Sequence, residues 1–180
     1  MNRNIIFLLT ATVFFLAACT DNNSEATTEA TNATETAADN RPPAYQAFNQ
    51  MPTFNMQTTS GGTVQLADLK GKKVFVNLWA SWCPPCRREM PSIEKLAQSV
   101  DTSKVAFVLL SLDDEFGKAK DFVTAQNLNL PIYYPAENLP ELFNVQAIPS
   151  TFIFDEKGGL LKRIDGGEDY DTDAYRHLLQ

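Results

Sequence analysis

Two cysteines, Cys83 and Cys86, stand where an apolar, strand-like run passes into a helix-like pattern. The first turn of a helix leaves backbone N–H groups unpaired and carries the positive end of the helix dipole, and both favour a thiolate over a thiol. A cysteine placed there becomes a nucleophile at neutral pH. The second cysteine lies one helical turn further on, within reach of a disulfide with the first. The spacing predicts a redox pair, with Cys83 as the exposed attacking thiol and Cys86 as the deeper resolving thiol.

The two residues between the cysteines, Pro84 and Pro85, fit the same interpretation. Proline lacks a backbone N–H, and this absence costs nothing in the first turn of a helix. We therefore expect both prolines to lie at the start of the helix, on the surface that faces a substrate. Trp82, next to the nucleophile, is expected to form part of the docking surface, whereas Trp79 is expected to be a packing residue.

The third cysteine, Cys19, ends a leader-like segment. Arg3 supplies a positive charge, residues 5–15 are apolar but short for a membrane span, and small residues precede Cys19. This ending resembles the bacterial lipoprotein signal, which implies that residues 1–18 are removed and that lipid is attached to the Cys19 sulfur. An ordinary secretory signal is the alternative.

Composition divides the rest of the chain into two parts. Residues 19–43 lack aromatic side chains and are acidic, which predicts a disordered tether that begins at the lipidated cysteine. Residues 44–180 suit one domain with a single core. The net charge of −7 and the scattered basic residues exclude a nucleic-acid footprint, so protein or peptide thiols are the expected partners.

Periodicity predicts strands and helices in alternation. Residues 73–80 and 105–112 are apolar runs typical of central strands that are covered on both faces. A helix with Pro91 inside it follows the cysteines, and Asp113 and Asp114 indicate the start of a second helix. The remaining expectations are hairpins at residues 51–66 and 150–164, a short strand at 130–134, one or two helical turns at 139–145, and a final helix capped by Asp171. This order predicts an α/β domain with a mixed sheet.

The order of these elements resembles the thioredoxin fold, and the motif at residues 76–86 is similar to that of TlpA/ResA/DsbE-type membrane-tethered thiol:disulfide oxidoreductases. The resemblance covers about 130 residues, and a full motif of this kind is far more specific than a lone C-x-x-C. It implies a three-layer sandwich with an N-terminal β-hairpin and an inserted helix and strand at residues 113–145. Pro91 matches the family's helix kink. Residues 147–152 match a loop whose proline, here Pro149, is cis and packs against the disulfide; an ordinary trans proline is the alternative.

One position departs from thioredoxin. Six residues before the first cysteine, where thioredoxins commonly carry a buried acid, this chain has Asn77. An amide cannot accept a proton, so that route for deprotonating the resolving thiol is absent. The resemblance to ResA-like members points to Glu89 as a substitute. The alternative is that Glu89 is an ordinary solvated helix residue.

The resemblance also implies an activity. Backbone groups beside Pro149, together with Ile148, are expected to bind an extended substrate chain as an added strand. The implied reaction is the reduction of disulfides in exported proteins, with apocytochrome c as one candidate. Electrons would come from a membrane thiol transporter, and no cofactor beyond the cysteine pair is implied. An oxidising direction and a non-catalytic binding module both remain open, because sequence does not give a reduction potential.

Other chemistries of C-x-x-C fit less well. Zinc needs two further ligands, but no other cysteine remains and the only histidine is His177. Haem attachment needs a histidine where Arg87 stands. A Sco-type copper chaperone needs a longer cysteine spacing. A calcium loop from Asp169 fails because Ala174 and Gln180 occupy positions that need glycine and glutamate.

Overall fold

The computed structural model describes residues 49–180, and within them seven strands form one mixed sheet. The strands are β1 (Asn55–Thr58), β2 (Thr63–Gln65), β3 (Lys73–Trp79), β4 (Val105–Ser111), β5 (Ile132–Pro135), β6 (Ser150–Phe154) and β7 (Leu160–Asp165). Their order across the sheet is β2, β1, β5, β4, β3, β6, β7. Strands β3, β4 and β5 are parallel, and the other pairings are antiparallel.

Within the described part of the chain, three α-helices lie beside the sheet: α1 (Pro84–Ser99), α2 (Phe116–Ala125) and α3 (Asp173–Leu178). Two 3₁₀ turns, Leu66–Leu69 and Glu141–Phe143, complete the elements. Helix α1 continues through Pro91, as the sequence predicts. Helix α2 and strand β5 supply the expected insertion. Among the described residues, no helix is long and apolar enough to cross a membrane.

Strand β3 lies inside the sheet between β4 and β6 and is buried on both faces. Its alternate side chains point in opposite directions and so enter two different apolar layers. Phe75 and Trp79 pack beneath the helices, whereas Val74, Val76 and Leu78 pack against the other apolar layer. That second layer includes Phe54, Leu66, Leu142 and Phe143, from the 3₁₀ turns and the chain before β1. The predicted three-layer α/β fold is confirmed.

Several element boundaries differ from the sequence predictions. The first strand begins at Asn55, because Met51 bonds through its N–H to Gly158 instead of pairing along a hairpin. Helix α2 begins at Phe116, and Asp113 turns inward. Thr172, not Asp171, is the N-cap of α3; Asp171 forms ion pairs with Lys95 and Arg176. A short polar residue can start or cap a helix at several neighbouring positions. Its contacts with distant parts of the chain determine which position it takes.

Three strand ends converge at the start of α1 and position the site. Trp79 is paired with Ser111 at the end of β4, and Leu78 is paired with Ser150 at the start of β6. The Leu112 N–H extends the first pairing with a 2.7 Å hydrogen bond to the Trp79 carbonyl oxygen. The loops that follow β3 and β4 and the loop that precedes β6 therefore meet beside Cys83.

Candidate active site

Cys83 and Cys86 form a disulfide at the N-terminus of α1, with their Cα atoms 5.3 Å apart. Cys83 is the N-cap, and its Sγ accepts a hydrogen bond of 3.3 Å from the Cys86 N–H. Pro84 and Pro85 occupy the first two helical positions, as predicted. Once the bond is reduced, the same N–H and the helix dipole would favour a thiolate on Cys83.

The two sulfurs differ in access, although both are largely covered. Cys83 is 3% exposed and Cys86 is 0% exposed. The expectation of an exposed Cys83 is therefore wrong for the disulfide form, because neighbouring loops close around it; its Sγ lies 3.7 Å from the Ile148 carbonyl oxygen. Cys83 is still the more accessible of the two residues, and Cys86 lies beneath it, as predicted.

A mainly apolar groove of about 470 Å³ runs past the disulfide. Trp82 forms one wall and is 63% exposed, an unusual position for a large aromatic side chain. The lining residues are Trp82, Cys83, Pro84, Pro85, Leu112, Val145, Gln146, Ala147 and Ile148. The residues predicted to contact a substrate thus lie together. Leu112 and Val145 were not predicted, since only the folded loops bring them here.

The Ile148–Pro149 peptide bond is cis, as the resemblance implies, and Pro149 is buried. The Pro149 carbonyl oxygen accepts a 2.9 Å hydrogen bond from the Gly166 N–H. Gly166 has φ +96°, a conformation that favours glycine. The loop after β7 is therefore tied to the proline loop beside the disulfide.

Glu89 is buried, with 3% of its surface exposed, so it is not a solvated helix residue. Its Oε1 accepts a 2.8 Å hydrogen bond from the Asn77 amide Nδ2, and its Oε2 accepts a 3.2 Å bond from the Glu168 N–H. Burial raises the pKa of Glu89 to about 7, because the charged form loses hydration that these donors only partly replace. A carboxyl group with such a pKa can take up and release a proton near neutral pH.

Asn77 belongs to a buried polar network that the sequence does not predict. Its Nδ2 also donates to Thr151 Oγ1 at 2.9 Å, and the Tyr170 hydroxyl bonds to the same oxygen at 2.7 Å. The Asn77 Oδ1 finds no hydrogen-bond donor within the part of the chain that the structure describes. Asn77 on β3 is paired with Thr151 on β6. The sequence does not give this strand register, and the network cannot be predicted without it.

A hollow of about 330 Å³ lies over Glu89 and opens to the surface. Its lining residues are Pro85, Arg88, Glu89, Gly167, Glu168 and Asp169. A Cβ at Gly167 would lie 3.6 Å from the Pro85 side chain and 4.0 Å from Glu89 Oε2. The small residue leaves this hollow open beside the carboxyl group.

Two further residues pack as supports. Trp79 is fully buried, with its ring 5.6 Å from that of Phe122, which matches the predicted packing role. The Arg87 guanidinium lies 5.3 Å from the centroid of the same Phe122 ring. Arg87 therefore holds a positive charge on the exposed side of α1, one residue beyond Cys86.

The predicted leader, lipidated Cys19 and tether, residues 1–43, lie outside the described residues.

Comparison with known proteins gives matches over this same region. The Redoxin family model matches residues 46–178. Thioredoxin-like protein YneN of Bacillus subtilis is 40% identical over 116 residues, which are 63% of this chain and 68% of YneN. Thiol-disulfide oxidoreductase ResA of Bacillus anthracis is 30% identical over 122 residues, which are 67% of this chain and 70% of ResA.

A solved structure matches the fold as well. The secreted Mycobacterium tuberculosis disulfide oxidoreductase that is homologous to E. coli DsbE superposes with a TM-score of 0.59 at 25% identity. The superposition covers 71% of this chain and 94% of that protein. The site and the comparisons therefore agree on the thioredoxin-type arrangement.

Proposed function

This chain belongs to the Redoxin family and is a thiol-disulfide oxidoreductase, and we propose that it reduces the disulfides of exported proteins with Cys83 as the attacking thiol. One observation carries the proposal. The Cys83–Cys86 disulfide lies at the N-terminus of α1, and Cys83 lines an apolar groove together with Ile148 of the cis proline loop. This arrangement offers a nucleophile and a place for an extended chain on the same surface.

In the proposed reaction, the Cys83 thiolate attacks one sulfur of the substrate disulfide. A mixed disulfide forms, and the first substrate sulfur leaves as a thiolate that takes up a proton. The Cys86 thiolate then attacks the Cys83 sulfur and releases the second substrate thiol. Two electrons have passed to the substrate, and the Cys83–Cys86 disulfide must be reduced again by a dithiol donor.

Glu89 is the proposed proton acceptor for the resolving thiol. It lies one helical turn beyond Cys86 on α1, is buried, and has a pKa of about 7, so both of its protonation states are populated near neutral pH. The hollow over Glu89 gives the proton a path to water. The thiols and this carboxyl group would then titrate as one coupled system, and apparent pKa values belong to the set.

The proposed location is the extracytoplasmic side of a bacterial membrane, with lipid at Cys19 and residues 19–43 as a tether. The leader-like segment supports it, as does the secreted relative. A membrane thiol transporter is the proposed electron donor, and apocytochrome c is one candidate substrate.

Intact-mass analysis of the mature protein tests the lipid anchor and should find a chain that begins at Cys19 with added acyl mass. A mature chain that begins elsewhere without lipid would refute the anchor and leave the redox proposal standing.

Reduction of insulin with dithiothreitol as the electron source tests the activity. We expect the wild-type protein to accelerate insulin precipitation and Cys83→Ser to abolish the acceleration. Equal rates for the two proteins would favour a binding module over an enzyme. Titration of the cysteine pair against glutathione then gives the direction. An equilibrium far toward the dithiol under oxidising buffers would indicate an oxidant instead of a reductant.

A further inference from the structure

Asp113 is a buried carboxyl group that the proposed reaction does not use. It follows the end of β4 and is 3% exposed. The Ser81 N–H lies 3.2 and 3.0 Å from its two oxygens, and the Ser81 hydroxyl donates to Oδ1 at 2.7 Å. The Ser111 hydroxyl donates to Oδ2 at 2.8 Å. Each oxygen of Asp113 therefore receives donors from Ser81, which lies two residues before Cys83.

These contacts join the two loops that form the groove. Ser81 precedes Trp82, an exposed lining residue, while Asp113 follows Leu112, which also lines the groove. The Leu112 N–H already binds the Trp79 carbonyl oxygen at 2.7 Å, so the main chain is fixed on one side of Ser81. Asp113 supplies the second attachment. Asp113 thus adds side-chain contacts to the main-chain bond that joins the segment after β3 to the end of β4.

We propose that Asp113 is a positioning residue for thiol-disulfide exchange: through Ser81 it sets the separation of Trp82 and Leu112 and so determines how well the groove binds a peptide around its disulfide. The proposal rests on the proposed function. Small errors in the placement of reacting groups lower rates steeply, and a peptide substrate depends on the groove more than a small disulfide does. Loss of Asp113 should therefore impair peptide substrates selectively.

The experiment compares Asp113→Asn with Asp114→Asn. The neighbouring Asp114 is exposed and pairs with Lys118, so its substitution removes the same charge one residue away without touching Ser81. The asparagine at position 113 places an NH₂ where Ser81 and Ser111 now donate, and at least one contact is lost. Rates are measured on insulin and on hydroxyethyl disulfide, which is too small to span the groove.

We expect Asp113→Asn to raise KM for insulin about tenfold and to change kcat/KM for hydroxyethyl disulfide less than about twofold. Asp114→Asn should match the wild type on both substrates. Ser81→Ala, which removes the hydroxyl and keeps the N–H, should raise KM for insulin about threefold. It also provides the test if Asp113→Asn does not fold. Equal losses on both substrates, or no loss on insulin, would overturn the proposal.

Acrylamide quenching of tryptophan fluorescence gives a readout that does not depend on activity. Trp79 is fully buried and Trp82 is 63% exposed, so quenching reports mainly on Trp82. We expect a changed quenching constant in Asp113→Asn and none in Asp114→Asn. An inactive wild type with this quenching difference would refute the proposed function, and with it the role in exchange, and would leave only the effect of Asp113 on the placement of Trp82. An active wild type without the difference would refute the positioning role alone.

Discussion

Glu89 and Asp113 are buried to the same degree, each with 3% of its surface exposed, yet they meet different surroundings. Asp113 accepts from the Ser81 N–H and from two hydroxyl groups. Glu89 accepts one bond from the Asn77 amide and one longer bond from the Glu168 N–H. It also borders a hollow that is open to water. Burial alone therefore does not decide what a carboxyl group does; the donors around it and its access to water decide.

The comparison assigns Glu89 to proton exchange and Asp113 to holding a loop. If it is right, the two carboxyl groups respond in opposite ways when each is converted to its amide. Removing a poorly solvated charge should stabilise the fold, whereas removing a well-bonded acceptor should destabilise it. The following predictions test this contrast in order of expected size, and all stabilities refer to the oxidised protein.

Asn77→Asp should have the largest effect, because it replaces the donor at 2.8 Å from Glu89 Oε1 with a second acceptor. Two carboxyl groups at this distance cannot both ionise cheaply in a buried site. We expect a loss of about 3–5 kcal/mol in the free energy of unfolding at pH 8 and a smaller loss at pH 5, where one proton can be shared.

Urea unfolding at pH 5 and pH 8 measures this loss. Asn138→Asp adds the same charge at an exposed position and serves as the control. If Asn77→Asp destabilised the protein equally at both pH values, Asn77 would be a packing residue and its bond to Glu89 would carry no proton chemistry.

Glu89→Gln should stabilise the protein at pH 8. The pKa of Glu89 is raised from 4.5 to about 7 in the fold. Below pH 4.5 the group is protonated in both the folded and the unfolded state, so it does not lower the free energy of unfolding. Above pH 7 it is ionised in both states, and the free energy of unfolding is lowered by the full penalty of a buried charge. That penalty is about 3 kcal/mol, which the neutral amide avoids. The Asn77 Oδ1, which has no donor among the described residues, can accept from the new NH₂ group if the Asn77 amide turns.

The measurement is the free energy of unfolding of wild type and Glu89→Gln across pH 4.5–8. The wild type should lose stability relative to the variant as the pH rises, and Glu156→Gln, at an exposed position, should follow the wild type. Parallel curves for wild type and Glu89→Gln would mean that Glu89 does not change its protonation state in this range.

Asp113→Asn should destabilise the protein by about 1–2 kcal/mol, the opposite sign to Glu89→Gln at pH 8. The reason is the loss of donors from Ser81 or Ser111, each within 3.2 Å of the carboxyl oxygens. Thermal unfolding of this variant beside Asp114→Asn checks the expectation. A stabilised Asp113→Asn would remove the contrast between the two carboxyl groups.

The loop over Glu89 provides the smallest effect and an internal control. Gly166→Ala should cost about 1 kcal/mol, because its φ of +96° disfavours a Cβ. Gly167→Ala should cost less than about 0.5 kcal/mol, since its Cβ would meet Pro85 at an ordinary 3.6 Å. Equal costs in urea unfolding would show that the loop conformation does not depend on Gly166.

The cysteine pair and the two prolines between the cysteines were predictable because they lie in a short stretch whose chemistry is local. Pro149 was predicted through the resemblance of residues 147–152 to a family loop. The apolar runs likewise predict the buried strands, since burial on both faces leaves a continuous pattern. Glu89 was predicted as a site residue through resemblance, but its burial depends on Asn77 and on the loop at Glu168, which lies 79 residues away.

Asp113 and Thr151 were not predicted as parts of the site, because their partners come from strand register. Asp113 followed by Asp114 is a reasonable helix start, and nothing local indicates that the first acid reaches back to Ser81. The informative signal was position: acids at the carboxyl end of a strand beside β3 come close to the residues that follow β3. Long-range contacts also explain why Thr172 is the N-cap of α3 and the predicted Asp171 is not, because Asp171 is paired with Lys95 and Arg176.

The central claim is that Cys83 attacks and Cys86 resolves, and trapping tests it most directly. Reduced Cys86→Ser and Cys83→Ser are each incubated with insulin, quenched with an alkylating reagent and analysed by intact mass spectrometry. We predict a stable mixed disulfide through Cys83 in Cys86→Ser and none in Cys83→Ser, because only the rim sulfur can reach a substrate. Mixed disulfides in Cys83→Ser and none in Cys86→Ser would contradict the account.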